Sequence, residues 1–214
     1  VSVLVPAGQT VTVPVSCVEQ GRWGASKAAR RSASLSPARL RSAKLSTVHD
    51  RLSEGGRRDA DQGVVWTQVA AYAMSHDVDS ATGALAAVHS ARSTDVANLV
   101  GRTGPLDGQR GVLAVVGARI LGLDLFDKPG TLDRYWKALV GAYALDALME
   151  DASTCAPTTL AAEAEAFLRS VLDAEGAQVS GVGQGDEIHL RSQRVVGHAL
   201  VWDDAVVHLS AFPA

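Results

Sequence analysis

The chain has 214 residues, 47% hydrophobic and 20% charged, with a net charge of −3. That is globular composition rather than disordered or membrane composition; a chain of this length buries roughly 70% of the surface it exposes when unfolded, enough for a core without staples. No apolar run approaches the roughly 20 residues of a membrane span. Val1–Val5 does not read as a signal peptide. Two cysteines as far apart as Cys17 and Cys155 make neither a disulfide framework nor a zinc knuckle, so a reducing, cytoplasmic setting with no membrane contact is expected. The chain lacks an initiating Met and opens on a strand pattern, so the natural polypeptide is expected to begin upstream.

In chain order, Val1, Val3 and Val5, then Val11, Val13 and Val15, alternate with mostly polar neighbours about a Pro6–Gln9 turn. This predicts an N-terminal hairpin, with Pro14 at an edge or bulge. A small, polar, basic loop follows Trp23. A helix is expected from Ser36 as N-cap and Pro37 as first helical residue, with Leu35 and Leu40 as a hydrophobic staple and Gly55-Gly56 as its stop. A second helix starts near Asp61, and a third runs from about Gly83 to Leu99. Gly111–Val116 and Arg119–Phe126 should pair about a Gly117-Ala118 type II′ turn. Further helices are expected through Leu132–Tyr143 and Ala161–Asp173, the second ended by Gly176. Four strands close the chain, at 178–182, 187–191, 195–202 and 205–210, with Asp203-Asp204 turning the last pair. The order favours an α+β fold: a largely antiparallel sheet built from hairpins near the N-terminus, the middle and the C-terminus, with about five helices packed on it. A single domain spanning 1–214 is expected, since neither a repeat nor a linker interrupts the chain.

Charge is unevenly distributed. Arg22 to Arg58 holds ten Lys/Arg against Asp50 and Glu54, a net +8 that leaves −11 for the rest of the total of −3. Such a segment suits an anion-binding surface or a solvated basic face. There is no phosphate-binding Gly-rich loop, dinucleotide fingerprint, Cys-x-x-Cys or His-Glu-x-x-His. Gly181–Gly185 reads as a hairpin loop, with an anion nest as the alternative. His189, His198 and His208 raise the question of a metal. With Asp203-Asp204 as a two-residue turn, His198 falls opposite Leu209 and His208 opposite Ala199, on opposite faces of the sheet. No metal site is expected on that ground. The parity of Cys17 with Val11–Val15 points its thiol into the core as an inert hydrophobe rather than a nucleophile. Asp124 interrupts an otherwise apolar strand, so it must be paired, hydrogen-bonded or protonated. An Arg of the basic segment, or Arg119, is the structural partner to look for, and a functional acid is the other reading.

Three blocks carry a resemblance: Val5-Pro6-Ala7-Gly8 running on to Ser16-Cys17-Val18-Glu19-Gln20-Gly21-Arg22-Trp23; Asp61–Trp66 with Thr82–Leu85; and Gly122–Asp127 with Trp136 and Tyr143–Ala147. With the ending His208–Phe212, they resemble the domain family associated with ADP-ribosylglycohydrolases and rhodanese–phosphatases. The resemblance implies a link to ADP-ribose or NAD metabolism by association. It also implies a strand-rich stretch upstream of Val1 that this chain lacks.

The leading functional expectation is binding of a phosphorylated, nucleotide-like small molecule, with or without chemistry on it. Arg22 would pair with phosphate, Trp23 would stack on a base or sugar, and Glu19, Gln20, Gln62 and Asp124 would read its polar edges. Trp66 would stack too or, beside Val65 and Val69, pack in the core. A non-catalytic module docking an acidic partner on its basic face is the alternative. Nucleic acid is disfavoured by the overall acidity. The sequence names no cofactor and no reaction, and it leaves room for a homo-oligomer.

Overall fold

The computed structural model of the chain describes residues 2–22, 34–150 and 157–214. Trp23, Cys155 and the basic loop after Trp23 lie outside these. The first long helix, α1 (Ala38–Gly55), buries Ala38, Leu40, Leu45 and Val48. Ser36 is not its cap. Pro37 takes the cap position with extended backbone and no side-chain bond, and the free N–H of Ala38 donates instead to Oδ2 of Asp146, 2.5 Å away on another helix. Gly56 ends α1 in the left-handed conformation expected of a C-terminal glycine. Asp61 caps α2 (Gln62–Ser75), accepting from the N–H groups of Gly63 and Val64. The helix expected from 83 to 99 is two, α3 (Leu85–Ala91) and α4 (Ser93–Val100). They break at Arg92, whose backbone leaves the helical region at φ −100° and ψ 10° while its side chain donates to the carbonyl of His76. Then come α5 (Pro129–Ala147), with proline in its first turn, and α6 (Pro157–Leu172).

The sheet has six antiparallel strands among the described residues: β1 (Gly111–Val116), β2 (Arg119–Phe126), β3 (Glu175–Ser180), β4 (Asp186–Arg191), β5 (Val195–Trp202) and β6 (Ala205–Pro213). Their spatial order is β1-β2-β6-β5-β4-β3. This is the α+β, hairpin-built architecture that the pattern predicts. Gly117 turns the first hairpin at φ 57°, and Asp203 and Asp204 turn the last at φ 54° and 57°, the two left-handed residues of a type I′ turn. Gly176, expected to end α6, lies inside β3, where a Cβ would come within 2.9 Å of the Ile188 side chain on β4.

The N-terminal hairpin does not form. Its turn exists, with the Gln9 N–H bonded to the Pro6 carbonyl at 3.2 Å, but Leu4 bridges instead to Gln184 in the 181–185 loop. Gly183 makes this capture possible, since a Cβ there would lie 2.2 Å from the Leu4 carbonyl oxygen. Val15, left without a ladder partner, is 83% exposed.

Side-chain alternation sorts the sheet into two faces. One carries Leu113, Leu123, Val195 and Ala211 against Phe167 and Val171 of α6. On the other, Phe126, Val196 and Phe212 meet Ala38 and Leu45 of α1 and Leu132, Leu139 and Tyr143 of α5. A third cluster joins α1, α2, α3 and α5 through Leu40, Val69, Tyr72, Val88 and Leu145. Among the described residues no helix is long and apolar enough to cross a membrane.

Asp146 is fully buried where α1, α2 and α5 meet. It accepts from the Tyr72 hydroxyl and the Ala38 N–H, with Arg39 Nε 3.9 Å away. Burial still pushes its carboxyl above the ordinary range. Asp146→Ala leaves two buried donors unpaired and should cost about 2–4 kcal/mol in urea unfolding. Asp146→Asn should cost far less, because an amide oxygen still accepts and no charge is buried. A raised folded-state pKa adds stability below the unfolded value of 3.8 and loses it as pH rises through the folded value. The wild-type protein should therefore lose ground to Asp146→Asn between that pH and neutrality; a gap between them that ignores pH would contradict the buried charge.

Candidate functional site

Helical spacing along α1 puts Leu40, Leu45 and Val48 on its buried stripe, and Arg41 and Lys44 fall within the same stripe. Both are carried toward the sheet face that holds Asp124, Phe126, His208 and Ser210. Asp124 pairs across strands with Ser210, and Phe126 with His208.

Asp124 has no solvent exposure. Arg41 grips it with two nitrogens, Nη1 to Oδ2 at 3.0 Å and Nη2 to Oδ1 at 2.5 Å, the bidentate geometry that suits a planar guanidinium. Tyr143 donates its hydroxyl to Oδ2 at 2.6 Å, and His208 Nε2 lies 3.0 Å from Oδ1. Gly122 leaves room for this, since a Cβ there would lie 2.6 Å from the Phe212 ring and 3.1 Å from the Tyr143 hydroxyl. Burial alone would raise the Asp124 carboxyl, but Arg41 and His208 outweigh it and hold the group below the ordinary range. The same surroundings, burial first and then the Asp124 charge, push the Tyr143 hydroxyl well above its usual value. The expected partner from the basic segment is therefore Arg41.

His208 stacks on Phe126 with ring centres 4.4 Å apart, and Ser2 Oγ lies 2.6 Å from its Nδ1. A carboxylate only accepts, so in the neutral ring Nε2 carries the proton toward Asp124 and Nδ1 accepts from Ser2. Hydroxyl, imidazole and carboxylate thus stand in the order that activates a nucleophile elsewhere. A cavity of about 530 Å³ opens above them, lined by Ser2, Arg41, Lys44, Tyr135, His208 and Ser210 among others. Lys44 has no hydrogen-bond or carboxylate partner among the described residues, and burial lowers its pKa.

A second polar cluster shares this face. Glu187 and His189 alternate along β4, and His198 sits opposite His189 on β5; the three are 2%, 2% and 0% exposed. Glu187 Oε2 is 3.3 Å from His189 Nε2 and 3.7 Å from His198 Nε2. Its other oxygen accepts from the Val182 N–H at 3.2 Å and faces Arg58 Nη1 at 3.5 Å. Burial would raise Glu187, but the two histidines and the Val182 N–H prevail and lower it. Burial lowers His198 to about 4, so its ring is neutral at neutral pH.

The sheet register behind the expected separation of the histidines is corrected here. The Asp203-Asp204 turn forms, but Val207 is an extra residue on β6: Val201 pairs with Val206 while Leu200 pairs with His208. The bulge shifts every later pair by one, so His198 faces Ser210 rather than Leu209, and His208 faces Leu200 rather than Ala199. All three histidines consequently share one face. The carbonyl of Val207 accepts from the Asp127 N–H at 3.1 Å.

Of the residues proposed from the sequence, Asp124 alone among those described lines the cavity above it. Glu19, Gln20, Arg22 and Gln62 gather elsewhere, in a knot where residues 17–22 run beside 82–85. Gln62 clamps the backbone of Cys17 from both sides, its Oε1 taking the N–H at 2.9 Å and its Nε2 giving to the carbonyl at 2.7 Å. Glu19 accepts from the Thr82 hydroxyl and pairs with Arg22 at 3.5 Å. Gln20 is exposed. Cys17 is half-buried rather than in the core, its thiol 3.1 Å from the Glu19 carbonyl. Trp66 is half-buried, and its ring N–H has no partner among the described residues. Lys44, His208, Ser2 and Glu187 are the residues of these clusters that the sequence pattern does not mark as ligand contacts. For Lys44 a signal existed, a charge at an apolar-stripe position. For His208 the bulge hid it.

A helix-covered antiparallel sheet with a polar cavity between helix and strands is the class that fold and site define. The chain belongs to the family ARPP-1, the ARG and Rhodanese-Phosphatase-superfamily-associated Protein domain, matched over residues 1–212. No curated protein and no solved structure matches it.

Truncating Asp124 leaves Arg41 buried and uncompensated, so Asp124→Ala should cost about 3–5 kcal/mol at neutral pH. A carboxylate with a lowered folded-state pKa stabilises above its unfolded value of 3.8, and that stability is lost as pH falls through the folded value. The gap between wild type and Asp124→Ala in urea unfolding should therefore narrow below pH 3.8. A gap that persists unchanged in acid would mean that Asp124 is not held as an anion.

Proposed function

We propose that the cavity above Asp124 binds a phosphorylated, nucleotide-like small molecule, with Lys44 as its anion contact, and that the Ser2–His208–Asp124 relay moves protons on the bound molecule. One observation carries this reading. Seven of the ten Lys/Arg in the basic segment are described, and six of them, Arg22, Arg39, Arg41, Arg51, Arg57 and Arg58, already have carboxylate partners within the chain. Lys44 alone has none, and it points a partly desolvated charge at a cavity edged with hydroxyls. A ligand phosphate is the natural complement of such a group. About 530 Å³ falls within the usual range for small-molecule sites, roughly 300–1,000 Å³.

The same pairing weakens the alternative of a basic docking face, because most of the charge such a face needs is spent internally. The association in the family's name supports ADP-ribose or an NAD relative as the first ligand to try.

ADP-ribose at a hundredfold excess over its dissociation constant should add about 2.7 kcal/mol, a melting shift on the order of 5–10 °C for a chain of this size. Lys44→Met should abolish the shift with little loss of basal stability, since it removes a charge that folding desolvates. Arg22→Ala should leave the shift in place, because Arg22 belongs to the knot around Glu19. If ADP-ribose, NAD and their phosphorylated relatives leave the melting curve unmoved at millimolar concentration, or if Lys44→Met keeps the full shift, the reading fails.

A further inference from the structure

The register of β4 and β5 brings three buried ligand-type side chains together. Glu187, His189 and His198 each offer one ligand-type atom, and the three atoms lie within 4.8 Å of one another. The separations from Glu187, 3.3 and 3.7 Å, are long for charge-assisted hydrogen bonds, which run about 2.7–2.9 Å. The shorter of the two matches another geometry, and the longer lies a few tenths of an ångström beyond it. Ligands held about 2.0–2.1 Å from a tetrahedral ion stand about 3.3–3.4 Å apart along each edge.

His198 supplies an independent observation. It is wholly buried, yet neither ring nitrogen has a hydrogen-bond partner among the described residues. Buried polar nitrogens are normally satisfied, and this ring is aimed at the Glu187 carboxylate. The rings of His189 and His198 meet edge to face, at 75° with centres 5.0 Å apart, so their nitrogens converge rather than stack. Glu187 is pre-oriented: Oε1 is taken by the Val182 N–H and by Arg58, which turns Oε2 toward the histidines as an outer shell orients a ligating carboxylate.

We propose that Glu187, His189 and His198 bind one divalent first-row transition ion, zinc foremost, through three protein ligands and an open fourth position. Two imidazoles and a carboxylate suit zinc, and three ligands rather than four mark a site that keeps a place for water or substrate. Of the three, Glu187 lines a separate cavity of about 200 Å³, with Val182, Arg58, Lys44 and Ser16 among others, so an ion would enter from the carboxylate side. This inference goes beyond the proposed ligand site and does not depend on it.

The test uses the purified chain, freed of metal with a chelator and dialysed, then titrated with Zn²⁺ and separately with Co²⁺. One equivalent of Zn²⁺ should bind and raise the melting temperature by several degrees. Co²⁺ should give visible absorption bands of a low-symmetry four- or five-coordinate site, bleached by Zn²⁺. Glu187→Gln and His198→Gln, checked for folding by circular dichroism, should lose the bands and at least a hundredfold in affinity. If His198→Gln fails to fold, Glu187→Gln with His189→Gln decides. No stoichiometric binding in the wild-type protein would overturn the proposal, as would bands or affinity that survive in folded variants, since the ion would then sit elsewhere.

Discussion

A carboxylate at the centre of a sheet and shut off from water must be neutralised by a partner, because an isolated buried charge costs far more than a domain's net stability. Asp124 imposes that demand from β2, and Asp146 imposes a second one from α5. One helix answers both. The first turns of α1 donate the Ala38 N–H to Asp146 and the Arg41 guanidinium to Asp124, while Arg39 reaches Glu150. Sliding α1 by one turn would strip both carboxylates at once. A purely apolar interface would tolerate such a slip more readily, since apolar contacts are non-directional. The buried pairs thus set the docking of α1, whatever their net contribution to stability.

That constraint explains the uneven charge. The basic segment reads, on its own, like a surface for anions, and in the folded chain most of its described charge is consumed by the acidic elements it packs on. Arg51 holds Asp59 and Asp61, the cap of α2, and Arg58 holds Glu187. What remains is one amine, Lys44, lying on the helix between Arg41 and Val48.

Much of the fold is legible from local chemistry. Asp61 as cap, Gly56 as stop, Gly117-Ala118 and Asp203-Asp204 as turns, and the strands of the last forty residues each follow from a residue type whose backbone preference acts within a few positions. What escapes is decided at longer range. Ser36 yields to Asp146 because the capping acceptor comes from 108 positions away. The N-terminal hairpin yields to the 181–185 loop because that loop offers Leu4 a glycine to lie against. The bulge at Val207 matters most. Nothing in Ala205-Val206-Val207-His208 announces it, and its carbonyl accepts from Asp127, just past the end of β2. One extra residue reverses parity, so a correct turn led to a wrong face. Asp124 was legible because a charge in an apolar strand violates a local rule; Arg22, Glu19 and Gln62 were plausible by type, but their polar atoms are committed to the knot around Cys17.

The corrected register has a consequence for how the two polar clusters relate. Asp124 with His208, and Glu187 with His189 and His198, lie on one face of one sheet, under or beside the same helix. Lys44 lines both the large cavity and the smaller one next to Glu187. An ion at the triad would neutralise Glu187 and raise the local potential at both cavities, favouring an anion near Lys44. An anion there would in turn favour the ion. Binding free energies couple reciprocally, so each occupant strengthens the other by the same factor through their mutual attraction, with no movement of the helix required. In a water-poor space that attraction is larger than at a surface, and it falls on the one cation of the described basic segment that the fold leaves unpaired.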